Sequence, residues 1–237
     1  MNWNSILNAY PDQKDAILEI KSLREQSDRI LAEVTIPDLE TTCRKMEDFG
    51  AFIPTLAPVC SAIWKEHAGA DPSFDMSEVL ASFLIGQDPP AISEGDRELA
   101  EAVINTTVSR FLSMLREKNA HLVSESWFEG DCPFCGSFAR IGFDAEDKRT
   151  LACLSCGHTW RFPRIKCPVC SNTDHATLGY FEAEGLEGVK VYFCRVCKHY
   201  IKIVDTRVRT VIDPETEDAL TLELDDLAAK EGFSIPS

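Results

Sequence analysis

Eight of the ten cysteines lie between positions 132 and 197, and they form four CxxC pairs. The pairs are Cys132/Cys135, Cys153/Cys156, Cys167/Cys170 and Cys194/Cys197. In a secreted chain such an array can be a disulfide scaffold, but the N-terminus lacks the basic start, apolar core and small-residue cleavage site of a secretory signal. Paired CxxC motifs in a reducing compartment are typical of metal ligands. The sequence therefore predicts a cytoplasmic protein with thiolate metal sites.

The spacing of the pairs predicts how they combine. The gap from Cys135 to Cys153 is 17 residues and the gap from Cys170 to Cys194 is 23, each long enough for a hairpin that returns a second pair to the first. Two tetrathiolate sites of neighbouring pairs are expected, one of Cys132, Cys135, Cys153 and Cys156, the other of Cys167, Cys170, Cys194 and Cys197. A cross-braced pairing stays open, but it would interleave two hairpins that are already self-contained.

The residue after each second cysteine distinguishes the two sites. Gly136 and Gly157 follow the pairs of the first site, where a tight turn often needs positive φ. Ser171 and Lys198 take these positions in the second site. The turns of the second site are therefore expected to be more strained.

The segments between the pairs predict two β-hairpins, RIGFDAEDKRTLAC around the turn DAEDK and LGYFEAEGLEGVKVYFC around EGLEG. Modules of roughly 40 residues bury too little apolar surface to be stable alone. Structural zinc contributes about 10–16 kcal/mol per site in such peptides, so metal removal is expected to unfold this half of the chain. The spacing does not choose between zinc and iron.

The net charge is −15, which argues against non-specific binding of nucleic acid by the whole molecule. The charge is uneven: −10 over residues 1–125, +2 over 126–209 and −7 over 210–237. The basic residues near the cysteines are expected to offset the anionic clusters; they are Arg140, Arg161, Arg164, Lys166, Arg195, Lys198 and Lys202.

Helical periodicity dominates the N-terminal half. Five helices are predicted: one from Asp12 to Val34, one that opens at Pro37 with Leu39, Cys43 and Met46 on one face, two near Thr55–Glu66 and Ser77–Gly86, and a longer one capped by Ser93. Their acidic faces are ordinary solvated surface or a docking face for a basic partner segment. A further acidic helix is expected between Pro214 and Glu231.

The predicted fold class is α+β. An acidic α-helical domain (1–125) precedes two tandem rubredoxin-like or zinc-ribbon β modules (126–165 and 166–209), followed by a short acidic C-terminal helix and tail (210–237). The longest uncharged run, Phe49–Trp64, is broken by two prolines and is too short to cross a bilayer. No membrane span is expected.

The remaining reactive side chains favour structural roles. Cys43 and Cys60 lie in apolar contexts and are interpreted as buried, inert thiols. His158 is interpreted as a surface or strand residue, because four cysteines already complete each metal shell. No nucleophile elbow, phosphate-binding loop, dinucleotide fingerprint or HExxH motif is present. The sequence therefore does not indicate an enzyme.

Four CxxC pairs in this order resemble the FdhE family of formate dehydrogenase accessory proteins. The resemblance covers about residues 130–206 and depends on the cysteine array, the joining segment HTWRFPRIKCPVC and the closing segment VYFCRVCKHYIKIVD. Two features differ from the family pattern. Family members are usually longer, so the N-terminal region is expected to be shortened here, and Ser171 stands where a glycine is common.

The resemblance implies that the eight cysteines are ligands of rubredoxin-like centres that hold two ions, iron or zinc. It also implies binding to the catalytic subunit of formate dehydrogenase in the cytoplasm, to assist its maturation. A full shell of sulfur ligands leaves no position for substrate, which favours a structural or electron-transfer role. Two alternatives remain: a rubredoxin-like redox protein, and a zinc-ribbon nucleic-acid binder with the strip Trp160, Arg161, Phe162, Arg164 and Lys166.

Overall fold

The structure is a computed structural model that describes residues 3, 7–8, 11, 14–44, 46–88, 90–124, 126–146, 148–211 and 213–236. The chain divides into two compact units, Met1–Leu122 and Val123–Ser237. No helix among the described residues combines the length and apolar character that a bilayer span requires.

The first unit is helical. Its helices are α1 (Lys14–Leu31), α2 (Met46–Gly50), α3 (Ile53–Ala68), α4 (Met76–Ile85) and α5 (Glu94–Lys118), followed by a 3₁₀ turn at Ala120–Leu122. Ser93 caps α5 as expected, because its hydroxyl accepts the N–H of Asp96 at 3.2 Å. The start of the first helix at Asp12 lies outside the described residues, and within them α1 ends at Leu31.

The core of this unit lies between α3, α4 and α5, and α1 packs against α3 and α5 with Leu31 fully buried. Fully buried side chains come from all three helices; they include Leu56, Ile63, Leu80, Ile104, Phe111 and Leu115. The rings of Phe52 and Phe111 meet edge to face with centroids 5.2 Å apart. Burial of these apolar faces stabilises the helices, since isolated helices of this length are marginal in water.

The prediction of a helix that begins at Pro37 is wrong, because residues 32–44 are irregular and the next helix begins at Met46. The end of α5 holds this segment in place. The Asn119 amide donates to the Pro37 carbonyl at 3.1 Å and accepts the N–H of Leu39 at 2.8 Å. In a helix that begins at Pro37, the Pro37 carbonyl would accept an N–H from the next turn; here it accepts the amide of Asn119. Cys43 is buried, and the side chain of Met46 lies outside the description.

The second unit is built on one six-stranded sheet. Its strands are β1 (Ile141–Asp144), β2 (Arg149–Ala152), β3 (Thr159–Arg161), β4 (Leu178–Phe181), β5 (Val189–Cys194) and β6 (Tyr200–Asp205). Both predicted hairpins, β1–β2 and β4–β5, are present. Each continues into a third antiparallel strand, β3 or β6.

The two three-stranded modules share the sheet. Strand order is β3-β2-β1-β6-β5-β4, and β1 pairs with β6 in parallel, with Ile141 opposite Lys202. The first strand of one module therefore lies beside the third strand of the other, and both run the same way. A translation along the sheet, rather than a two-fold rotation, relates the modules.

Two short helices close the second unit, where a single helix was expected. They are α6 (Pro214–Ala219) and α7 (Leu222–Lys230). The break falls at Thr221, whose hydroxyl donates back to the carbonyl of Glu217 at 2.7 Å. Leu224 and Ala228 of α7 are fully buried in the core that also contains Ile141 of β1.

A buried ion cluster joins the two short helices to the sheet. Lys202 of β6 is 1% exposed, and its Nζ lies 2.7 Å from Asp218 Oδ1 and 3.0 Å from Asp225 Oδ2. The Tyr200 hydroxyl donates to the other carboxylate oxygen of Asp225 at 2.6 Å. Burial and this carboxylate both raise the pKa of Tyr200, so the phenol stays protonated as a donor.

Replacement of Lys202 tests the cluster. Lys202→Met keeps much of the side-chain volume but removes the cation that Asp218 and Asp225 share, and Asp218 keeps only the longer contact to Arg140. We therefore expect the free energy of unfolding to fall by about 3–5 kcal/mol. The measurement is denaturant unfolding of the metal-loaded protein. Lys190→Met is the control, because its pair with Glu182 is solvent-accessible and is worth no more than about 1 kcal/mol. Equal losses in the two variants would contradict this role.

Candidate metal centres

All four CxxC pairs form the same turn. The N–H of the residue after the second cysteine donates to the carbonyl of the first, with N···O distances of 2.9 Å for Gly136, 2.9 Å for Gly157, 3.0 Å for Ser171 and 2.9 Å for Lys198. The N–H of each first cysteine donates to the carbonyl two residues beyond the second, at 2.8–3.0 Å. This turn, here called the knuckle, points two sulfurs the same way.

Each knuckle requires a left-handed backbone at the residue after its second cysteine. Gly136 and Gly157 have φ of 74° and 69°, which glycine adopts without strain. Ser171 and Lys198 have φ of 57° and 62°, in a region that costs a residue with a Cβ about 1–2 kcal/mol. The prediction of more strained turns in the second site is therefore confirmed.

The knuckles bring the eight predicted sulfurs together in two groups of four. The groups are Cys132, Cys135, Cys153 and Cys156, and Cys167, Cys170, Cys194 and Cys197, and within each all sulfurs lie within 4.8 Å of one another. Close sulfur–sulfur separations are 3.6 Å (Cys132–Cys156) and 3.4 Å (Cys135–Cys153) in the first group, and 3.6 Å (Cys167–Cys197) and 3.8 Å (Cys170–Cys194) in the second. The pairs at these distances are equivalent in the two groups.

These distances fit a tetrahedral metal shell. A disulfide would place two sulfurs about 2.05 Å apart, and none of the ten cysteines, all of which the structure describes, forms one. Four sulfurs at about 2.3 Å from a zinc ion would lie about 3.8 Å from one another. Either group can therefore hold a zinc- or iron-sized ion with small adjustments, and the donor set of four thiolates does not choose between the two metals.

The two groups differ in access to solvent. All four cysteines of the first group are buried, whereas Cys170 is exposed and Cys197 is partly exposed in the second. Val196, between the cysteines of the last knuckle, is 61% exposed. Solvent and competing ligands therefore reach the second group more easily than the first.

Hydrogen bonds favour the thiolate form at Cys194. Its sulfur accepts the side-chain amide of Asn172 at 3.6 Å. Burial opposes ionisation, but backbone N–H groups of Cys197 and Val196, together with Asn172, lower the pKa of Cys194 to about 7. This role of Asn172 was not predicted from the sequence. Its position two residues after Cys170 could have indicated it, because the knuckle folds this residue back toward the hairpin.

The segment before the first knuckle packs on the second module. A Cβ at Gly130 would lie 1.8 Å from the Pro168 carbonyl oxygen, so only glycine allows this approach. The Trp160 indole donates to the Glu129 carbonyl at 2.8 Å, and Lys166 Nζ lies 2.8 Å from the Glu129 carboxylate. The sulfur groups are local, but the modules around them are packed together.

Most of the basic residues expected to offset the sulfur clusters bind carboxylates instead. The pairs are Arg140–Asp218 at 3.8 Å, Arg164–Asp144 at 3.5 Å, Lys166–Glu129 at 2.8 Å and Lys202–Asp218 at 2.7 Å. For these four residues the expectation is wrong, because carboxylates close to them in the fold lie within ion-pairing distance. Arg195 and Lys198 lie over the rings of Phe193 and Phe233.

The surroundings of His158, Cys43 and Cys60 favour structural roles for these residues. The His158 ring stacks on the Trp160 ring with centroids 6.0 Å apart. His158 is not a member of the first candidate ligand group, which consists of four cysteines. Cys43 and Cys60 are buried as expected. Burial raises the pKa of Cys60 to about 12, so this thiol is protonated and unreactive at neutral pH.

Fold and site together define a class: a protein with an N-terminal helical unit and paired zinc-ribbon-like modules, each with four cysteines that can bind a metal ion. Residues 165–237 match the model of the FdhE C-terminal domain. The resemblance to the FdhE family seen in the cysteine array is confirmed, with residues 165–237 as the part that the family model matches.

Several curated relatives are similar to this chain. An FdhE homolog of Aquifex aeolicus is 36% identical over 114 residues, which are 46% of this chain and 40% of the relative. An FdhE homolog of Edwardsiella ictaluri is 28% identical over 163 residues, 66% of this chain and 51% of the relative. The chain thus matches about half or less of the length of these relatives.

A solved structure shares the fold. The crystal structure of the FdhE protein from Pseudomonas aeruginosa superposes with a TM-score of 0.66 at 18% identity, covering 95% of this chain and 88% of the other. The superposition spans nearly the whole of this chain, with its helical unit, its sheet and its short C-terminal helices, so the predicted fold class is confirmed.

Single cysteine variants test the assignment of sulfurs to sites. Cys132→Ser or Cys194→Ser is expected to lower the metal content from two ions per chain to one, since each group has its own four sulfurs. Native mass spectrometry with elemental analysis measures this. Cys60→Ser, outside both groups, is expected to retain both ions. Loss of both ions from one cysteine variant would show that the sites do not bind independently.

Competition with a chelator tests the difference in exposure. We expect the exposed second site to release its ion faster than the buried first site, so release from the two-ion protein has two phases. Cys132→Ser, which keeps the second site, is expected to reproduce the fast phase, and Cys194→Ser the slow one. Absorbance of a metal-sensitive dye follows the release. Equal rates in the two variants would contradict the argument from burial.

Proposed function

We propose that this protein is a metal-binding accessory protein, chaperone-like, that binds the catalytic subunit of formate dehydrogenase and assists its maturation in the cytoplasm. The observation that carries the proposal is the pair of four-sulfur groups, the second of which lies within the residues that match the FdhE C-terminal domain. Two ions, iron or zinc, would be held by the eight cysteines. When bound, such an ion would hold the two ends of its hairpin together, and an iron ion would also supply a one-electron redox couple.

A binding role agrees with the chemistry of the sites. Four thiolates fill a tetrahedral shell, so no position remains for a substrate or an activated water. The chain's own residues hold and orient the sulfurs through the knuckle hydrogen bonds. We infer that the protein is not an enzyme and that its surfaces, rather than a catalytic pocket, carry the function.

A redox role is the second candidate, because Cys170 is exposed and would bring an electron close to the surface. Anaerobically purified protein would then show visible absorption that bleaches on reduction. A colourless zinc protein that keeps its biological activity would exclude this role. The nucleic-acid alternative is less favoured, since Trp160 and Phe162 are each only 6% exposed and cannot stack on bases.

Co-expression tests the accessory function. We expect the catalytic subunit of formate dehydrogenase to co-purify with the tagged protein from anaerobically grown cells, and the isolated subunit to have higher formate oxidation activity when the protein is present. Bound chains and elements are identified together by mass spectrometry and elemental analysis. Cys60→Ser serves as the matched control for the Cys132→Ser and Cys194→Ser variants. No complex and no change in activity would contradict the proposal.

A further inference from the structure

A cationic groove lies at one edge of the sheet in the second unit. It follows the end of β3 and is open to solvent, with a volume of about 850 Å³ that includes part of this solvent. The side chains that define it are the cations Lys148, Arg149, Arg161 and Arg164 and the apolar residues Phe128 and Ile165. No carboxylate is among the described residues that line it.

Two of the four cations are available to a partner. Arg149 is 5% exposed and donates to both carboxylate oxygens of Asp144 at 2.9 Å, and Arg164 lies 3.5 Å from the same carboxylate. Lys148 and Arg161 are exposed, and neither forms an ion pair with a carboxylate of the described residues. In a chain of net charge −15, this groove is a local site of positive charge.

The groove also exposes apolar surface. Phe128 is 49% exposed and Ile165 is 62% exposed, both among the most exposed large apolar side chains of the described chain. Such residues beside cations provide both contact area and charge complementarity to a partner. β3 is the outermost strand of the sheet that the described residues form, so its outer edge carries backbone groups that no strand of this sheet pairs. An edge of this kind can bind an extended segment.

We propose that this groove docks a polypeptide segment that combines carboxylates with apolar side chains. The inference rests on the proposed function and deepens it, because the segment would belong to the catalytic subunit that the protein assists. Lys148 and Arg161 bind the carboxylates, Phe128 and Ile165 contact the apolar side chains, and β3 supplies backbone hydrogen bonds.

Charge and geometry favour a polypeptide over a nucleic acid. A polynucleotide needs a long track of cations and exposed aromatic faces. Here Asp144 offsets one of the two charges of Arg149 and Arg164, and Lys148 and Arg161 have no ion-pair partner among the described carboxylates. Of the aromatic rings among the described residues of the groove, Phe128 is exposed and Phe162 is buried, so a run of bases would find a single ring to stack on. A short acidic segment needs only the local charge that the groove offers.

Charge reversal with purified components tests the inference. Arg161→Glu and Lys148→Glu are each expected to weaken binding of the formate dehydrogenase catalytic subunit roughly tenfold, with a smaller dependence on salt than in the wild type. Lys230→Glu, an exposed cation on α7, is the matched control and is expected to bind as the wild type does. A content of two metal ions per chain confirms that each variant is folded.

Photo-crosslinking identifies the segment. A benzophenone side chain at position 128 or 165 is expected to crosslink to a peptide of the subunit that contains Asp or Glu, whereas the same group at Val208 or Leu222, which are 65% and 58% exposed elsewhere, is expected not to. Crosslinks to a neutral or basic peptide, or to a second copy of this chain, would overturn the inference.

The outcomes separate the two proposals. If the wild type binds the subunit and both charge reversals bind equally well, the groove inference is wrong and the accessory function stands. If the wild type does not bind the subunit, both proposals are overturned. A third outcome would assign the groove to nucleic acid instead: the wild type binds fluorescein-labelled polyuridine RNA, and Arg161→Glu abolishes this binding.

Discussion

The knuckle hydrogen bond is the interaction on which the second unit depends. In each CxxC pair, a backbone N–H folds back onto the carbonyl of the first cysteine, and two sulfurs point to the same side. Two knuckles at the ends of one hairpin then present four sulfurs, and sulfurs of opposite knuckles lie as close as 3.4–3.8 Å. The hairpins are too short to be stable alone, so a bound ion that joins the knuckles would stabilise the strands as well. The requirement for positive φ explains why glycine occupies this position at Gly136 and Gly157.

Much of this unit could be predicted from the sequence, because its determinants are local. Cysteine spacing, the residues after each pair and the alternation in the strands depend on neighbours within about 25 positions, and they indicated the sulfur groups and both hairpins. The parallel pairing of β1 with β6 joins residues such as Ile141 and Lys202, which are about sixty positions apart in the chain. No local sequence pattern indicates such a pairing. The helix expected at Pro37 was wrong for a similar reason, since Asn119 captures that backbone from a distant position.

Charge was the least predictable property. Basic residues near the cysteines were assigned to the sulfur clusters from their position in the chain, but Arg140, Arg164 and Lys202 find carboxylates that the fold brings close. The buried cluster around Lys202 could not be inferred without the packing of the C-terminal helices on the sheet. Lys148 and Arg161 keep no such partner among the described carboxylates, and their charge is available to a ligand for that reason.

The relation between the two modules by translation has a consequence for assembly. A repeat related by translation has no natural end, unlike a pair closed by a rotation axis, and its outermost strand can in principle template another module or another molecule. In this sheet the two outermost strands, β3 and β4, are only three and four residues long. Strands this short offer few unpaired backbone groups. They therefore limit the strand pairing between molecules through which such a sheet could continue to grow.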